Sequence, residues 1–415
     1  MFKLKLHWQI LIAIILAVLI GFFQPQLVPY IKWMGDLFLR ALKMIIVPLI
    51  LTSIITGVAN VGDAQNLGKM GLKTLAYYII TSLLAIVTGL ILVNLIQPGV
   101  GADLGLNKNV EGLHTASKGI GNILIRLVPT NIFQSMASGD MLAIIFFSIL
   151  VGFFITKLPD SYKNTLNNFF NAGFEVMMKI TELIIKFAPL GILGIIAGVV
   201  AEQANDLVQV AARMGMYMSA VLLGLMFHSF ITLPLILRLI GKGNPLKHFQ
   251  AMTTPLLTAF STSSSSATLP LTLDAVENQV GVSNKVTSFV IPLGATVNMD
   301  GTALYECVAA MFIAQAYGIH MDFIHQFIIV FTALLASIGA AGIPMAGFVM
   351  ISVILSAVGL PLEGVGLIIS VDRILDMCRT TVNVWSDSCG AAIVAKTEGE
   401  VLNVTVPGYK RKFNN

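Results

Sequence analysis

The sequence predicts an all-α polytopic membrane protein, with eight transmembrane helices plus two re-entrant helical hairpins arranged as inverted repeats. Three observations predict it. Apolar residue types make up 56% of the 415 residues and charged types only 11%, where soluble domains carry roughly 25% charged residues, and the mean hydropathy is +0.86. Eight apolar segments approach or exceed the roughly 20 residues that cross a bilayer. Two further segments are as long but are interrupted midway by small residues and proline. This composition leaves too little polar surface for a soluble enzyme or a nucleic-acid binder.

In chain order, Lys3 and Lys5 precede an apolar run, Trp8–Phe23. A signal peptide would end in a small-residue cleavage pattern. Gln24-Pro25-Gln26 follows instead, so the run reads as a retained first span. The remaining spans are Trp33–Ala59, Leu75–Ile96, Met141–Thr156, Phe169–Val200, Val208–Ile240, Val286–Tyr317 and Leu360–Ala395. The Gly- and Asn-rich stretch from Gln97 to Gly121 reads as a mobile outer loop. On the fifth span Glu175, Lys179, Glu182 and Lys186 follow one another at helix-pair spacing and read as stabilising ion pairs. Residues 401–415 are a polar cytoplasmic tail ending in Lys410, Arg411 and Lys412, suited to anionic lipid.

The two interrupted segments are Pro245–Gly281 and Met321–Gly359. The first break runs from Ser261 to Pro270 through four consecutive serines. The second runs from Ser337 to Gly347 and contains Gly342, Ile343 and Pro344. Each break is followed by a polar-bearing span, which makes a repeat of hairpin plus helix, and entry from opposite sides makes that repeat inverted. Small residues also serve close helix packing. Backbone that is not helical at membrane depth persists only where it is buried in protein or lines a cavity. Helix N-termini at such tips present free N–H groups to an anion, and paired interrupted segments mark a transporter's binding site.

Charge supports this topology. Eight spans and two hairpins put both termini on one side. That side receives Lys3, Lys5, Lys69, Lys73, Lys157, Lys163, Arg238, Lys242, Lys247, Lys285, Lys396, Lys410, Arg411 and Lys412, while the other receives Lys32, Lys108, Lys118, Arg126 and Arg213. The bias marks the first side as cytoplasmic. Cys307, Cys378 and Cys389 show no paired spacing, and the six histidines are scattered without metal-site spacing, so neither a disulfide framework nor a zinc site is indicated. No G-x-S-x-G surrounds the serines and no histidine lies near them in sequence, which argues against a serine hydrolase. No ring of charge suggests a channel.

The last span carries Asp372, Asp376, Arg379, Asn383 and Asp387 at offsets that fall on one helical face, with Thr380 beside it. Each charge at the bilayer centre costs roughly 2.5–3.5 kcal/mol on insertion scales, so the stripe must face protein or a cavity. Asp372 fits a structural ion pair and a functional role equally. Arg379 suits a substrate carboxylate, which a guanidinium grips bidentately. The preceding span contains Asn298-Met299-Asp300-Gly301-Thr302. A regular helix would point Asn298 and Asp300 to nearly opposite sides, whereas an unwound turn at Gly301 lets both converge with backbone carbonyls as hard oxygen ligands for an alkali or alkaline-earth cation. Glu306, on the same span, is a candidate proton carrier or an interhelical hydrogen-bond partner.

Together these residues resemble the dicarboxylate/amino acid:cation symporters, the family of bacterial glutamate carriers and excitatory amino acid transporters, over nearly the whole chain. The marks are the serine-rich hairpin ending Thr268-Leu269-Pro270, the Asn298–Thr302 motif, the Gly342–Gly347 tip, and Asp376 through Asp387. This family is itself a known case of inverted-repeat transporters, so repeat and resemblance are not independent. The resemblance implies a homotrimer in the cell membrane whose protomers work by an elevator motion. The scaffold would comprise residues 1–70 and 122–205, and the mobile transport domain residues 71–98 and 206–400. It implies import of L-glutamate, L-aspartate or a C4-dicarboxylate, coupled to sodium ions and protons, with no organic cofactor and no nucleic-acid partner. A neutral amino acid exchanger of the same fold is the alternative.

The resemblance also assigns roles. Arg379 would pair with the substrate side-chain carboxylate and Asp376 with its amino group. Asn383 and Thr302 would hold the main-chain carboxylate region, flanked by Thr380. Ser263, Ser264 and Ser265 would form the first tip, and Gly342, Ile343, Pro344 and Gly347 the second. One sodium site would use Gly294, Asn298, Asn383 and Asp387. A second would use carbonyls at Thr296, Ser337, Ile338 and Ala340 near Met299, and a third Tyr78, Thr81, Ser82, Asn298 and Asp300. Departures from archaeal aspartate carriers are Ser263 for arginine, Glu306 for glutamine, Met345 for glycine and Ala340 for threonine. The first two bring the chain closer to the excitatory transporters, in which that glutamate is tied to proton or potassium coupling. Neutral-amino-acid members lack the arginine retained here as Arg379.

Overall fold

The computed structural model describes residues 6–65, 69–101, 125, 128–202, 207–339 and 346–404. Most of the stretch predicted as a mobile loop, the centre of the second hairpin tip (Ala340, Gly342, Ile343 and Pro344 among it) and the end of the basic tail lie outside the described residues. Everything regular among the described residues is helical.

The first helix, α1 (Leu6–Phe23), joins α2 (Val28–Gln65) through a short 3-10 turn at Pro25–Leu27. α3 (Lys69–Ile96) follows, then α4 (Ile132–Ser138) and α5 (Met141–Ile155). The fifth predicted span is two helices, α6 (Asp160–Lys186) and α7 (Ala188–Glu202), bent by 53° at Phe187. Of its predicted ion pairs, Lys179–Glu182 forms at 3.1 Å. The sixth span is α8 (Leu207–Phe227), a π-helical stretch His228–Thr232, and α9 (Leu233–Leu239). A π-helical insertion leaves one backbone turn wider than the rest, a feature that concentrates at functional sites.

Next come α10 (Pro245–Ala251), α11 (Thr253–Thr262) and α12 (Ser265–Asp274), the last two forming the first hairpin. The hairpin turns on two residues. Ser263 takes a left-handed conformation (φ 53°, ψ 37°) that ends α11, and the Ser264 hydroxyl caps α12 by accepting from the Ala267 amide at 3.1 Å. A serine at a helix N-cap satisfies one otherwise orphaned N–H. Pro270, read in the sequence as part of the break, sits inside α12 instead. α13 (Asn284–Val297) and α14 (Asp300–Ala316) together make the seventh span. α15 (Phe323–Gly339) and α16 (Ala346–Ala357) pack on one another as the second hairpin, and α17 (Val365–Thr397) closes the chain.

Pro25–Ala59, Lys69–Ile96 and Val208–Leu239 are long and apolar enough to cross a membrane, and α6 with α7 qualifies as a bent pair. α17 has the length, about 50 Å at 1.5 Å per residue, but its polar stripe lowers its mean hydropathy. That stripe is buried: Asp372, Asp376, Arg379, Asn383 and Asp387 all lie in the interior. Apolar side chains instead cover the outside, as Leu72, Ile80, Ile91 and Leu95 do along α3. The interior is largely apolar as well; what departs from a soluble protein is this apolar exterior, which suits a hydrocarbon solvent.

Packing falls into two groups. α1, α2, α5, α6 and α7 pack chiefly on one another. α14 lies at the centre of the other group, touching α3, α8, α15, α16 and α17, and nearly all its residues are buried. α15 and α16 also touch α2.

Candidate functional site

The site begins with a two-residue gap in a helix. α13 ends at Val297, and α14 restarts at Asp300. Asn298 (φ −102°, ψ 87°) and Met299 (φ −117°, ψ 60°) leave the helical region between them. The gap loses little backbone bonding, because the Asn298 amide still donates to Gly294 O at 2.9 Å and Ala303 to Met299 O at 2.8 Å. Its effect is to turn the Asn298 and Asp300 side chains toward one cluster. The unwinding falls just before Gly301 rather than on it.

Gly301 has a different role. A Cβ there would lie 2.5 Å from the Arg379 carbonyl oxygen and 2.9 Å from its Cα. Only glycine allows α14 and α17 to approach this closely. The contact lets the Asn383 side chain accept from the Gly301 amide at 2.8 Å and donate to the Thr302 hydroxyl at 3.0 Å.

Two polar clusters result. In the first, the Arg379 guanidinium is 1% exposed. Its Nη1 donates to Asp372 Oδ1 at 2.9 Å and its Nε to Asp376 Oδ1 at 3.1 Å. Nη2 lies 2.8 Å from Asp376 Oδ1, within ion-pair distance though off the hydrogen-bond direction. The Tyr305 ring lies 4.1 Å below the guanidinium, and the Tyr305 hydroxyl donates to Asp372 Oδ1. Gly347, from the described end of the second hairpin, presents bare backbone here: a Cβ would lie 3.1 Å from both Arg379 Cζ and Thr302 Cγ2. α17, α14 and α16 thus meet at one guanidinium.

The second cluster holds carboxylates without a lysine or arginine among its described contacts. Asp300 Oδ1 accepts from Ser82 Oγ at 2.6 Å and Thr81 Oγ1 at 3.3 Å. Asp300 Oδ2 accepts from Ser386 Oγ at 2.6 Å and lies 3.0 Å from His228 Nε2. Asn298 Nδ2 donates to Asp387 Oδ1 at 2.8 Å and Ser386 Oγ at 3.0 Å. The Tyr78 hydroxyl donates to Val290 O at 2.6 Å. A Cβ on Gly294 would lie 2.5 Å from Asp387 Oδ1 and 2.8 Å from the Tyr78 hydroxyl. All these groups are buried. The set is rich in hydroxyl, carboxamide and carboxylate oxygen, the donor chemistry of a hard cation.

The structure therefore brings Tyr78, Thr81, Ser82, Gly294, Asn298, Asp300 and Asp387 into one neighbourhood, and Thr302, Gly347, Asp376, Arg379 and Asn383 into the adjacent one. Thr380 is buried beside Arg379 on α17. Ser263, Ser264 and Ser265 sit at the tip of the first hairpin, whose α12 packs on α17. The remaining set is less assembled. Thr296 is exposed and its hydroxyl donates to Leu293 O at 3.0 Å, while Ser337 donates to Leu334 O at 2.8 Å. Ile338 faces Gly57 of α2, at 3.2 Å from a Cβ built there, and Met299 is buried. No hydrogen bond joins these four among the described residues. Glu306 lies one turn beyond Thr302 on α14, fully buried, and neither carboxyl oxygen has a hydrogen-bond partner among the described residues.

Four participants escape sequence reasoning: His228, Ser386, Tyr305 and the packing role of Gly301. His228 had one available signal, its position in the middle of an apolar run at membrane depth, where ionisable residues are functional by default. Ser386 and Tyr305 had none, since hydroxyl residues are common in such spans.

Comparison with known proteins agrees in one direction. Residues 6–397 match the Sodium:dicarboxylate symporter family. The chain is 35% identical over 427 residues to the proton/glutamate-aspartate symporter of Escherichia coli (strain K12), covering 99% of this chain and 97% of that one. It is 37% identical over 411 residues to the proton/sodium-glutamate symport protein of Geobacillus stearothermophilus, with 96% of each chain covered. It is also 37% identical over 460 residues to excitatory amino acid transporter 3 of Oryctolagus cuniculus, covering 96% of this chain and 87% of the relative.

Proposed function

The chain belongs to the sodium:dicarboxylate symporter family and is a multi-pass membrane transporter, not an enzyme; from that premise we propose that it imports L-glutamate or L-aspartate in symport with sodium. The observation that carries this reading is the pairing of two adjacent, differently charged clusters. Arg379 offers a buried cation that a substrate carboxylate can claim from Asp372 and Asp376. Asn383 and Thr302 place a carboxamide and a hydroxyl beside it, and Gly347 brings bare backbone close to the guanidinium. Asp376, once it gives up Arg379, takes the substrate ammonium. Next to this, Asp300 and Asp387 concentrate negative charge in a dry site, which a co-transported sodium ion neutralises. The clusters are joined through the backbone, Asp300 to Thr302 on α14 and Asn383 to Asp387 on α17, so that ordering one cluster bears on the other.

Glu306 supplies the proton-carrying candidate. An ionised carboxylate buried without a partner is strongly disfavoured, and the bacterial relatives are named for proton or proton/sodium coupling. The two packing groups suggest the moving parts: α1, α2 and α5–α7 as scaffold, α3 and α8–α17 as transport domain, with the hairpins re-entrant and the protomers in a trimer. Retention of Arg379 favours an acidic substrate over a neutral one.

The test is uptake of labelled L-aspartate and L-glutamate into proteoliposomes with sodium and proton gradients imposed separately. Concentrative uptake on the sodium gradient alone is expected. Uptake on the proton gradient alone would move coupling to Glu306 and remove the sodium role of Asp300 and Asp387.

A further inference from the structure

An apolar cavity lies on the side of α17 opposite both polar clusters. A cavity of about 570 Å³ opens between α8, the first hairpin and α17. Its walls include Met226, Phe230, Leu256, Phe260, Val382 and Trp385. On α17 the lining residues Cys378, Thr381, Val382 and Trp385 follow at i, i+3, i+4 and i+7, one helical face. Asp376, Arg379, Asn383 and Asp387 occupy the other face, so the cavity is separate from both polar clusters. It opens outward, since Phe230 is 67% and Met226 47% exposed. The Ser229 carbonyl that borders it is already bonded by Trp385 Nε1 at 3.1 Å. An amino acid would find few polar partners there; a hydrocarbon chain finds a matched wall.

One end of the cavity is charged. Pro234 on α9 and Pro245 and Leu246 on α10 line that end. Arg238 lies one turn beyond Pro234 on the same helix, Lys247 follows Leu246, and Lys242 sits on the connection between them. All three are exposed, and none has a side-chain hydrogen bond or ion pair among the described residues. Three unpartnered cations, each within four residues of a lining residue at this end of an apolar groove, fit a phospholipid with a negative headgroup. Basic residues at a membrane surface attract anionic lipid in this way.

We propose that this groove binds one anionic phospholipid, its acyl chain along the α8–α11–α17 wall and its phosphate at Arg238, Lys242 and Lys247. The inference rests on the chain's membrane location and not on its substrate or coupling ion. Charge complementarity at this end selects an anionic lipid over a second copy packed about a two-fold axis, which would bring the same three cations to the contact.

Trp385 provides the test. The sequence has three tryptophans, and Trp8 and Trp33 are exposed, so the full chain carrying Trp8→Phe and Trp33→Phe reports through Trp385 alone. It is placed in nanodiscs of zwitterionic lipid doped with dibrominated-acyl phosphatidylglycerol or, separately, dibrominated-acyl phosphatidylcholine. Quenching of Trp385 by the anionic lipid is expected at mole fractions at least about fivefold lower than by the zwitterionic one, the factor that about one basic contact supplies. Arg238→Gln, Lys242→Gln and Lys247→Gln together should abolish the difference, and Arg40→Gln, on α2, should leave it intact. Native mass spectrometry of the delipidated unsubstituted chain should show one retained phosphatidylglycerol per chain, which checks the site without any variant. Equal quenching by both headgroups would overturn the proposal by showing that ordinary bilayer tails fill the groove. No quenching by either would overturn it by showing that protein covers the groove.

Discussion

The two polar clusters use the same residue types and solve opposite problems. Around Arg379 the buried charges are Asp372, Asp376 and one guanidinium, held within 2.8–3.1 Å. Around Asp300 and Asp387 the described partners are hydroxyls, a carboxamide and the His228 ring. The first cluster carries its own counter-ion, which on the proposed function it would exchange for the carboxylate of an acidic substrate. The second has acceptors organised by neutral donors and must import its counter-ion. Desolvated charge is tolerated only when paired, and on the proposed function the first cluster exchanges a carboxylate for that of the substrate while the second takes a cation. The two share α14, through Asp300 and Thr302, and α17, through Asn383 and Asp387, and that shared framework is what makes coupling physically reasonable.

The sharpest way to break this contrast is Arg379→Ala. It should abolish aspartate and glutamate uptake and leave two carboxylates uncompensated, a loss of about 3–5 kcal/mol for a broken buried pair. Adding Asp372→Asn should recover much of the stability, read by thermal unfolding in detergent, without recovering acidic uptake. Unchanged uptake in Arg379→Ala would end the carboxylate role. Gly301→Ala comes next. Alanine ordinarily stabilises a helix by roughly 0.5–1 kcal/mol over glycine. Here the new Cβ meets the Arg379 backbone, so the sign should reverse to a loss of about 1–3 kcal/mol, with uptake falling alongside. A more stable, active variant would show that the helices can part.

On the cation side, Asp387→Asn should raise the sodium concentration for half-maximal uptake about tenfold or more, since bonds to charged groups contribute about 1.5–3 kcal/mol. An unaltered sodium titration would remove Asp387 from the site. His228→Gln should weaken the same titration by a smaller factor, about threefold to tenfold, because the histidine positions Asp300 and is not itself an oxygen ligand. A change in substrate affinity with an untouched sodium titration would place His228 elsewhere in the mechanism.

The smallest effect expected is outside both clusters. Lys73 donates to Glu398 at 2.6 Å, and this hydrogen bond holds the Glu398 carboxyl below its ordinary value of 4.5. A depressed folded-state value contributes stability above about pH 4.5 that is lost as pH falls through the lower folded value. The pair is partly exposed and screened. Glu398→Gln should therefore shift the unfolding temperature by no more than about 1–2 °C at pH 7, and the difference should vanish in acid. A large shift at pH 7 would mark this surface pair as unlike the usual kind.

Much of the architecture was legible beforehand because a bilayer allows so few backbone solutions. Long apolar runs became helices, and the polar stripe of α17 turned inward as its insertion cost demanded. The first hairpin turned within its serine run, although at Ser263 and Ser264 and not at Pro270, since proline is tolerated inside a helix whose neighbours stabilise it. Bends were less legible: neither the 53° break at Phe187 nor the π-helical stretch at His228 has a proline at its centre. The candidate site was legible where rare residues marked it, as with Arg379, Asp387 and the Asn298–Thr302 run. It was illegible where common residues acquired meaning through contact, as with Ser386 and Tyr305.

What the sequence determined by itself is therefore the set of charges that cannot face lipid and the helices that must carry them. Solvation decides that, residue by residue, and needs no knowledge of neighbours. Arg379 meets Asp376 and Asp372 within α17 itself, three and seven residues away, but which groups surround Asp300 and Asp387 was decided only by tertiary structure. Those contacts join helices far apart in the chain, at 2.6–3.3 Å from Ser82, Thr81, Ser386 and His228 to Asp300 and 2.8 Å from Asn298 to Asp387, and they rest on the two-residue gap at Asn298 and Met299. Periodicity places a side chain on a face; packing of the neighbouring helix decides what that face touches.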